Sequence, residues 1–152
     1  MKKRGKMEMK SMIMEQQKVH MIRFEKGEEL LSGIVSYVKE HNITAGFLSG
    51  IGALEKGVFG YFDVEKKLYI NTKFKEVELL GCTGNVAVNK DTKEPIAHIH
   101  ILVGEKDGKT FGGHLVEGII SVTTEIYLVE TKPSIYRTKD DETGLYLLNP
   151  KN

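Results

Sequence analysis

Three histidines carry the chemistry this sequence can offer. His98 and His100 lie in Pro95-Ile96-Ala97-His98-Ile99-His100-Ile101-Leu102-Val103, and His114 lies in Phe111-Gly112-Gly113-His114-Leu115. Side chains alternate across a β-strand, so His98 and His100 project from one face. The turn signal around Asp107-Gly108 brings the chain back alongside as a hairpin. An odd number of loop residues, or a bulge at Gly112-Gly113, sets His114 opposite His100 on that same face, whereas a two-residue turn sends it to the other side. With the three together, the imidazoles match the borderline preference of zinc or another divalent transition metal. A fourth position left to water would make the site open, and such a water is acidified enough to act as a nucleophile near neutral pH. The alternative is three half-buried strand histidines satisfied by neighbours or by a partner subunit.

Carboxylates that could serve such a centre are Glu105, Glu117 and Glu125. Glu125 sits within the apolar run Thr123-Thr124-Glu125-Ile126, where a charge is costly unless it is paired or hydrogen-bonded. It reads either as a solvent-facing residue of the alternation or as a carboxylate that supports a ligating histidine or works as a base. His20 and His41 have no comparable company. Cys82 is the only cysteine, which excludes an internal disulfide framework and a Cys-rich zinc finger; any metal here rests on histidine. His98-x-His100, Glu105 and Gly112 also fit the spacing of a first cupin motif, but nothing after His114 supplies the second one.

These residues need a sheet to hold them, and the pattern provides one. Val19–Phe24, Ile43–Ser49, Val58–Asp63, Lys67–Ile70, Lys73–Leu80, Gly84–Asn89, Ile96–Val103, Thr110–Val116 and Ile119–Glu130 read as strands, with Leu145–Leu148 as a short edge strand. Turns are expected at Asp63–Lys67, Asn71–Thr72, Asn89–Glu94 and Glu105–Lys109. Ile119–Glu130, the longest and most apolar, is expected to be central. One segment, Glu28–His41, has helical period: Leu30, Leu31, Ile34, Val35 and Val38 share a face. Glu28 and Glu29 fall in its first turn, and Asn42 is a left-handed stop. The helix is long enough to serve as a crossover, so the strands before and after it are expected to run parallel. The reading is a single α+β domain with a mainly antiparallel sheet and one principal flanking helix. It divides into a flexible basic, Met-rich tail (1–16), a folded domain (17–132) and a polar C-terminal extension (133–152).

The 152 residues suffice for one domain, and 40% hydrophobic with 28% charged residues is an ordinary globular balance. Lys+Arg 22 against Asp+Glu 21 leaves a net charge of +1, which excludes a body coated in basic charge for gripping phosphates. Positive charge concentrates at the start, in Lys2, Lys3, Arg4 and Lys6. No apolar run approaches the roughly 20 residues of a membrane span. No apolar core or cleavage site of a signal peptide follows the basic start, so a cytoplasmic chain is expected.

The order of motifs resembles one family. Gly50-Ile51-Gly52-Ala53-Leu54, Gly60-Tyr61-Phe62-Asp63, Glu78-Leu79-Leu80, Thr83-Gly84-Asn85, His98-Ile99-His100 and Gly112-Gly113-His114-Leu115 occur as they do in the plants and prokaryotes conserved (PPC) domain, also called domain of unknown function 296. The resemblance spans about Gln17 to Glu130. It implies a strongly twisted antiparallel sheet with a flanking helix, a homotrimer, and a metal, zinc, held where the His-x-His and Gly-Gly-His-Leu motifs fall on His98, His100 and His114. In plant members DNA is gripped by AT-hook segments that precede the domain. Here Lys3-Arg4-Gly5-Lys6 lacks the second Arg and the Pro of that core, which leaves arginine insertion into a narrow groove without its vehicle. The glycines of Gly50-Ile51-Gly52 read as a strand bend or close backbone approach, since the Lys-Ser/Thr ending of a phosphate loop is missing. Phe74–Leu79 matches the family segment implicated in partner contacts and reads here as a cleanly alternating strand. Two functional expectations result. One is a metal-binding trimer with family-type DNA binding through Lys2, Lys3, Arg4 and Lys6; the other is a zinc-dependent hydrolase or lyase using a water on the three-His metal.

Overall fold

The structure is a computed structural model, and it describes residues 9–150. The tail cations Lys2, Lys3, Arg4 and Lys6 lie outside the described residues. In chain order the elements are β1 (Glu15–Glu25), α1 (Leu30–Glu40), β2 (Gly46–Asp63), β3 (Leu68–Asn89), β4 (Pro95–Gly104), β5 (Thr110–Lys132), β6 (Tyr136–Lys139) and β7 (Tyr146–Leu148).

The helix begins at Leu30, two residues later than its period suggests, because Glu29 caps it. Glu29 has extended backbone (φ −98, ψ 125), and its carboxylate accepts from Leu31 N at 3.0 Å and Ser32 N at 2.6 Å. The same carboxylate also accepts Gly118 N at 3.0 Å, tying the helix start to β5. Burial tends to raise its pKa, yet the hydrogen bonds from Ser32, Gly118 and Leu31 together hold it below the usual value. Leu30, Ile34 and Val38, four residues apart, are fully buried against the sheet. Asn42 takes the left-handed conformation expected of it, with φ 53.

The strands are fewer and longer than the turn signals suggest. Asn71-Thr72 is no turn. It pairs with Gly60 and Phe59 in an unbroken hairpin whose bend comes at Val64–Lys67, within the turn expected at Asp63–Lys67. A facing strand with its own backbone groups to satisfy overrides the turn preference of two polar residues. Phe74–Leu79 is also not a clean alternation. Glu76 adopts φ 52, and Phe74 and Val77, three apart, both point into the core.

β5 is central, pairing with β1, β2 and β4. β1 and β2 both run antiparallel to β5, so they are parallel to each other with β5 between them. The pairings β2–β3, β3–β4, β4–β5 and β5–β2 close into a ring. Leu48, Leu54, Ile99, Leu115, Ile126 and Leu128 fill its inner side, each 2% exposed or less. At Gly50 a Cβ would stand 2.4 Å from Glu125 O, and at Gly52 one would stand 2.4 Å from Thr123 O, so β2 crosses β5 at a distance only glycine allows. Cys82 is buried in this core, which pushes its thiol up to about 12.

Candidate metal centre

Loop parity decides the site. The connection from β4 to β5 is Glu105–Lys109, an odd number of residues. It is closed by Glu105 N to Lys109 O at 2.8 Å and Gly108 N to Glu105 O at 2.9 Å, with Gly108 at φ +86. Gly104 therefore pairs with Thr110 and His100 directly with His114, with no bulge between. Of the two routes the sequence allows, the odd loop is the one used. On the other side of β4, His98 pairs with Asn85 and His100 with Thr83 of β3. Ile99, Ile101 and Leu115 point inward, so the three histidines share the outer face.

Their rings converge, with centroids 5.0 Å apart for His98–His100, 5.1 Å for His98–His114 and 5.7 Å for His100–His114. One nitrogen from each ring lies within 4.8 Å of the others. His98 Nε2 and His100 Nε2 are 3.2 Å apart. Zinc–nitrogen bonds of about 2.0–2.1 Å in a tetrahedron put ligand nitrogens about 3.3–3.4 Å apart. The pair already spans the edge that such an ion requires. His114 Nδ1 is buried without a hydrogen-bond partner. The donor set therefore fits a divalent transition metal.

Electrostatics favour the ligating form. His98 is pushed down to about 4, first by burial and then by the positive charge of Arg137 and the neighbouring His114 and His100. His114 is lowered as well, by burial first and then by His100 and Arg137. Both are neutral at pH 7, as a metal-bound imidazole must be. Tyr69 stacks on His114 at 4.9 Å between ring centroids. It can do so because the residue of β2 opposite His114 is Gly60; a Cβ there would meet Tyr69 Cδ1 at 2.8 Å.

The candidate carboxylates are elsewhere. Glu125 is on β5 with His114 but 11 residues further along, about 36 Å of extended strand at roughly 3.3 Å per residue. It stands between Arg23 of β1 and Ile51 of β2 and lines a cavity of about 500 Å³ with Leu80 and Val122. Within the described residues the three histidines converge without it. Glu117 faces Val58, and Glu105 is exposed in the loop. His20 and His41 are likewise apart from the three. His20 Nδ1 lies 3.0 Å from the Tyr37 hydroxyl, and His41 stacks on Tyr37 at 4.0 Å, joining β1 to α1.

Sequence reasoning missed Arg137. It lies in the polar extension after Pro133, with no local signal to separate it from the solvated charges that follow. β6 runs parallel to the end of β3 and buries it, at 4% exposure, where its Nη2 donates to Asn85 Oδ1 at 2.7 Å.

The family model described as the Plants and Prokaryotes Conserved (PCC) domain matches residues 12–132. A metal-containing protein of Archaeoglobus fulgidus is similar at 33% identity and TM-score 0.85, over 93% of this chain and 99% of that one. A plant- and prokaryote-conserved protein of Pyrococcus horikoshii is similar at 35% identity and TM-score 0.86, over 95% of this chain and 99% of that one. A Bacteroides thetaiotaomicron protein, provisionally described as DNA-binding, shares the fold at 24% identity and TM-score 0.81, over 90% of this chain and 96% of that one. Among curated proteins, the bifunctional protein GlmU of Synechococcus sp. (strain JA-3-3Ab) is 25% identical over 132 residues, 86% of this chain. The chain spans about a fifth of the length of that relative. Among the described residues no helix is long and apolar enough to cross a membrane.

Proposed function

We propose that this chain, which belongs to the Plants and Prokaryotes Conserved domain family, binds a divalent transition metal, zinc, through His98, His100 and His114. The observation that carries the reading is the convergence of three nitrogens within 4.8 Å, two of them already at a tetrahedral edge of 3.2 Å. The metal content described for the Archaeoglobus fulgidus protein supports it. The test is elemental analysis of protein purified without chelator. Near-stoichiometric metal is expected, lost in His114→Ala and in His98→Ala; negligible metal in the unmutated protein refutes the reading.

The assembly we propose is a homotrimer in the cytoplasm. Support comes from the outer face of β1, β5 and β2, where Val19, Met21, Phe47, Ile51 and Tyr127 are neighbours in register and 51–60% exposed. Light scattering on the eluting protein should give three times the 17.1 kDa chain mass. In a trimer the tail cations Lys2, Lys3, Arg4 and Lys6 are repeated three times, and they are the contact we assign to DNA. DNA retention should fall steeply with salt and disappear when residues 1–14, which precede β1, are deleted. Unchanged retention removes the tail as the vehicle.

His100 is exposed, and this favours a second reading, a hydrolase or lyase working at an accessible metal. The metal would supply Lewis acidity there. His98, His100 and His114 would hold it, Tyr69 would brace the His114 ring, and burial together with the charge of Arg137 would keep His98 unprotonated. Turnover that vanishes on chelation and returns with metal is the discriminating result.

A further inference from the structure

Among the described residues Arg137 is a cation without a counter-ion. A guanidinium stays charged, and buried charges are normally paired with carboxylates. Among the described residues no carboxylate pairs with Arg137. Its hydrogen bonds go to neutral oxygens: Nη1 donates to Tyr146 O at 2.8 Å and Nη2 to Asn85 Oδ1 at 2.7 Å. Nε is buried and has no hydrogen-bond partner among the described residues. The side chain reaches along the sheet from beside Asn89 to Asn85, and Asn85 is the direct cross-strand neighbour of His98. The fixed charge thus sits one strand away from His98, a member of the three-histidine group that itself attracts a divalent cation.

We propose that Arg137 makes the three-histidine site selective for a small oxyanion, a carboxylate or a phosphate, as its exogenous ligand. This rests on the metal reading of the previous section. Two positive groups side by side, both short of negative charge, disfavour a neutral or cationic ligand and favour one that carries its charge on oxygen. Glu125 and the other acids cannot fill this need from within the chain, because the strand carries Glu125 far away and Glu105 faces solvent. Arg137 acts here as a specificity-determining residue, with Asn85 and the Tyr146 carbonyl holding its orientation.

The experiment uses the full chain loaded with cobalt(II) and follows the visible spectrum during titration with acetate, oxalate, inorganic phosphate and, as the neutral counterpart, acetamide. Metal content is measured in every sample. Arg137→Gln removes the charge and keeps a polar side-chain amide, and Arg137→Lys keeps the charge. In the unmutated protein at least one oxyanion should bind, and acetamide should not. The best-bound anion should weaken about tenfold or more in Arg137→Gln. Arg137→Lys should retain more of that affinity than Arg137→Gln, and the acetate and phosphate arms identify which oxyanion is preferred. Full metal content with equal anion affinity in the unmutated, Gln and Lys proteins overturns the proposal, as does acetamide binding as tightly as acetate. If Arg137→Gln fails to fold, Arg137→Lys and the acetamide comparison still decide it. Absence of metal in the unmutated protein is a different result: it refutes the metal reading itself.

Discussion

Gly112→Ala tests whether register alone assembles the centre. A Cβ at Gly112 would stand 2.0 Å from Ile101 O, whereas ordinary contact begins at 3.4 Å. The obstacle is backbone, so no rotamer change relieves it, and β4 and β5 must part by about 1.4 Å at this point. Gly112 pairs with Leu102, two positions along the ladder from the His100–His114 pair. Shared between two strands, the displacement is about 0.7 Å each, beyond the roughly 0.5 Å within which a ligand set must be held. Zinc affinity should fall about 10- to 100-fold, as when the support of a ligating histidine is removed. Overpacking should cost about 1–3 kcal/mol of stability. The assay is competition against a chromophoric chelator, with urea unfolding of the same samples. Gly81→Ala is the control, because a Cβ there meets nothing within 4 Å. If Gly112→Ala binds zinc within twofold of the parent while Gly81→Ala behaves the same, strand register does not govern the site.

Other outcomes follow from the same geometry. His98 titrates near 4 when folded and near its ordinary value of about 6.5 when unfolded. Its contribution to the metal-free protein is therefore complete above about pH 6.5 and is lost as pH falls towards 4, where the unfolded chain holds the extra proton. Urea midpoints measured across that window should drop, and less so in His98→Gln; an identical drop in both proteins argues against the buried neutral imidazole. Ile99, at 0% exposure between the two β4 histidines, should cost about 2–5 kcal/mol on truncation to Ala, read from urea unfolding. A loss below about 1 kcal/mol contradicts its packing. Glu29→Ala should cost about 0.5–2 kcal/mol by removing the helix cap, towards the upper end because Gly118 N loses its acceptor too. Restoration by Glu29→Asp to the full parent value would show that the bond to Gly118 contributes nothing.

The histidine face was legible because a period of two needs no tertiary information: His98 and His100 share a side in any strand. His114 was legible only as a conditional, since its side depends on where the strands stop and the loop begins. The structure settles that with five loop residues, Glu105–Lys109. The helix was read within two residues, and its start was misplaced because Glu29 works as a cap from outside rather than as a first-turn acid. Asn71-Thr72 misled for the opposite reason, as local turn preference yields to a long pairing partner that only the fold reveals. Glu125 was tied to the histidines through its chemistry alone. Once Thr110–Lys132 is recognised as one strand, counting places it 11 residues from His114. Arg137 was beyond reach, because a parallel pairing of β6 with the far end of β3 is a long-range event with no trace in the local pattern.

The ring of β2, β3, β4 and β5 also governs how this chain meets its own copies. Its strands have neighbours on both sides over part of their length; among the described residues the unpaired edges include β1, β7, Leu68–Val77 of β3, which pairs with β2 alone, and Pro95–Ile99 of β4, which pairs with β3 alone. Open edges are where backbone groups recruit further strands and start aggregates. β7 offers only Tyr146–Leu148, too little to template another strand. β1 is longer, but it carries Glu15, Lys18, Arg23 and Glu25, and its register slips between Gln16 and Val19. The closure that aligns three histidines thereby pairs the middle of the sheet on both sides and confines its open backbone to short or charged stretches and to the Leu68–Val77 end of the β2–β3 hairpin.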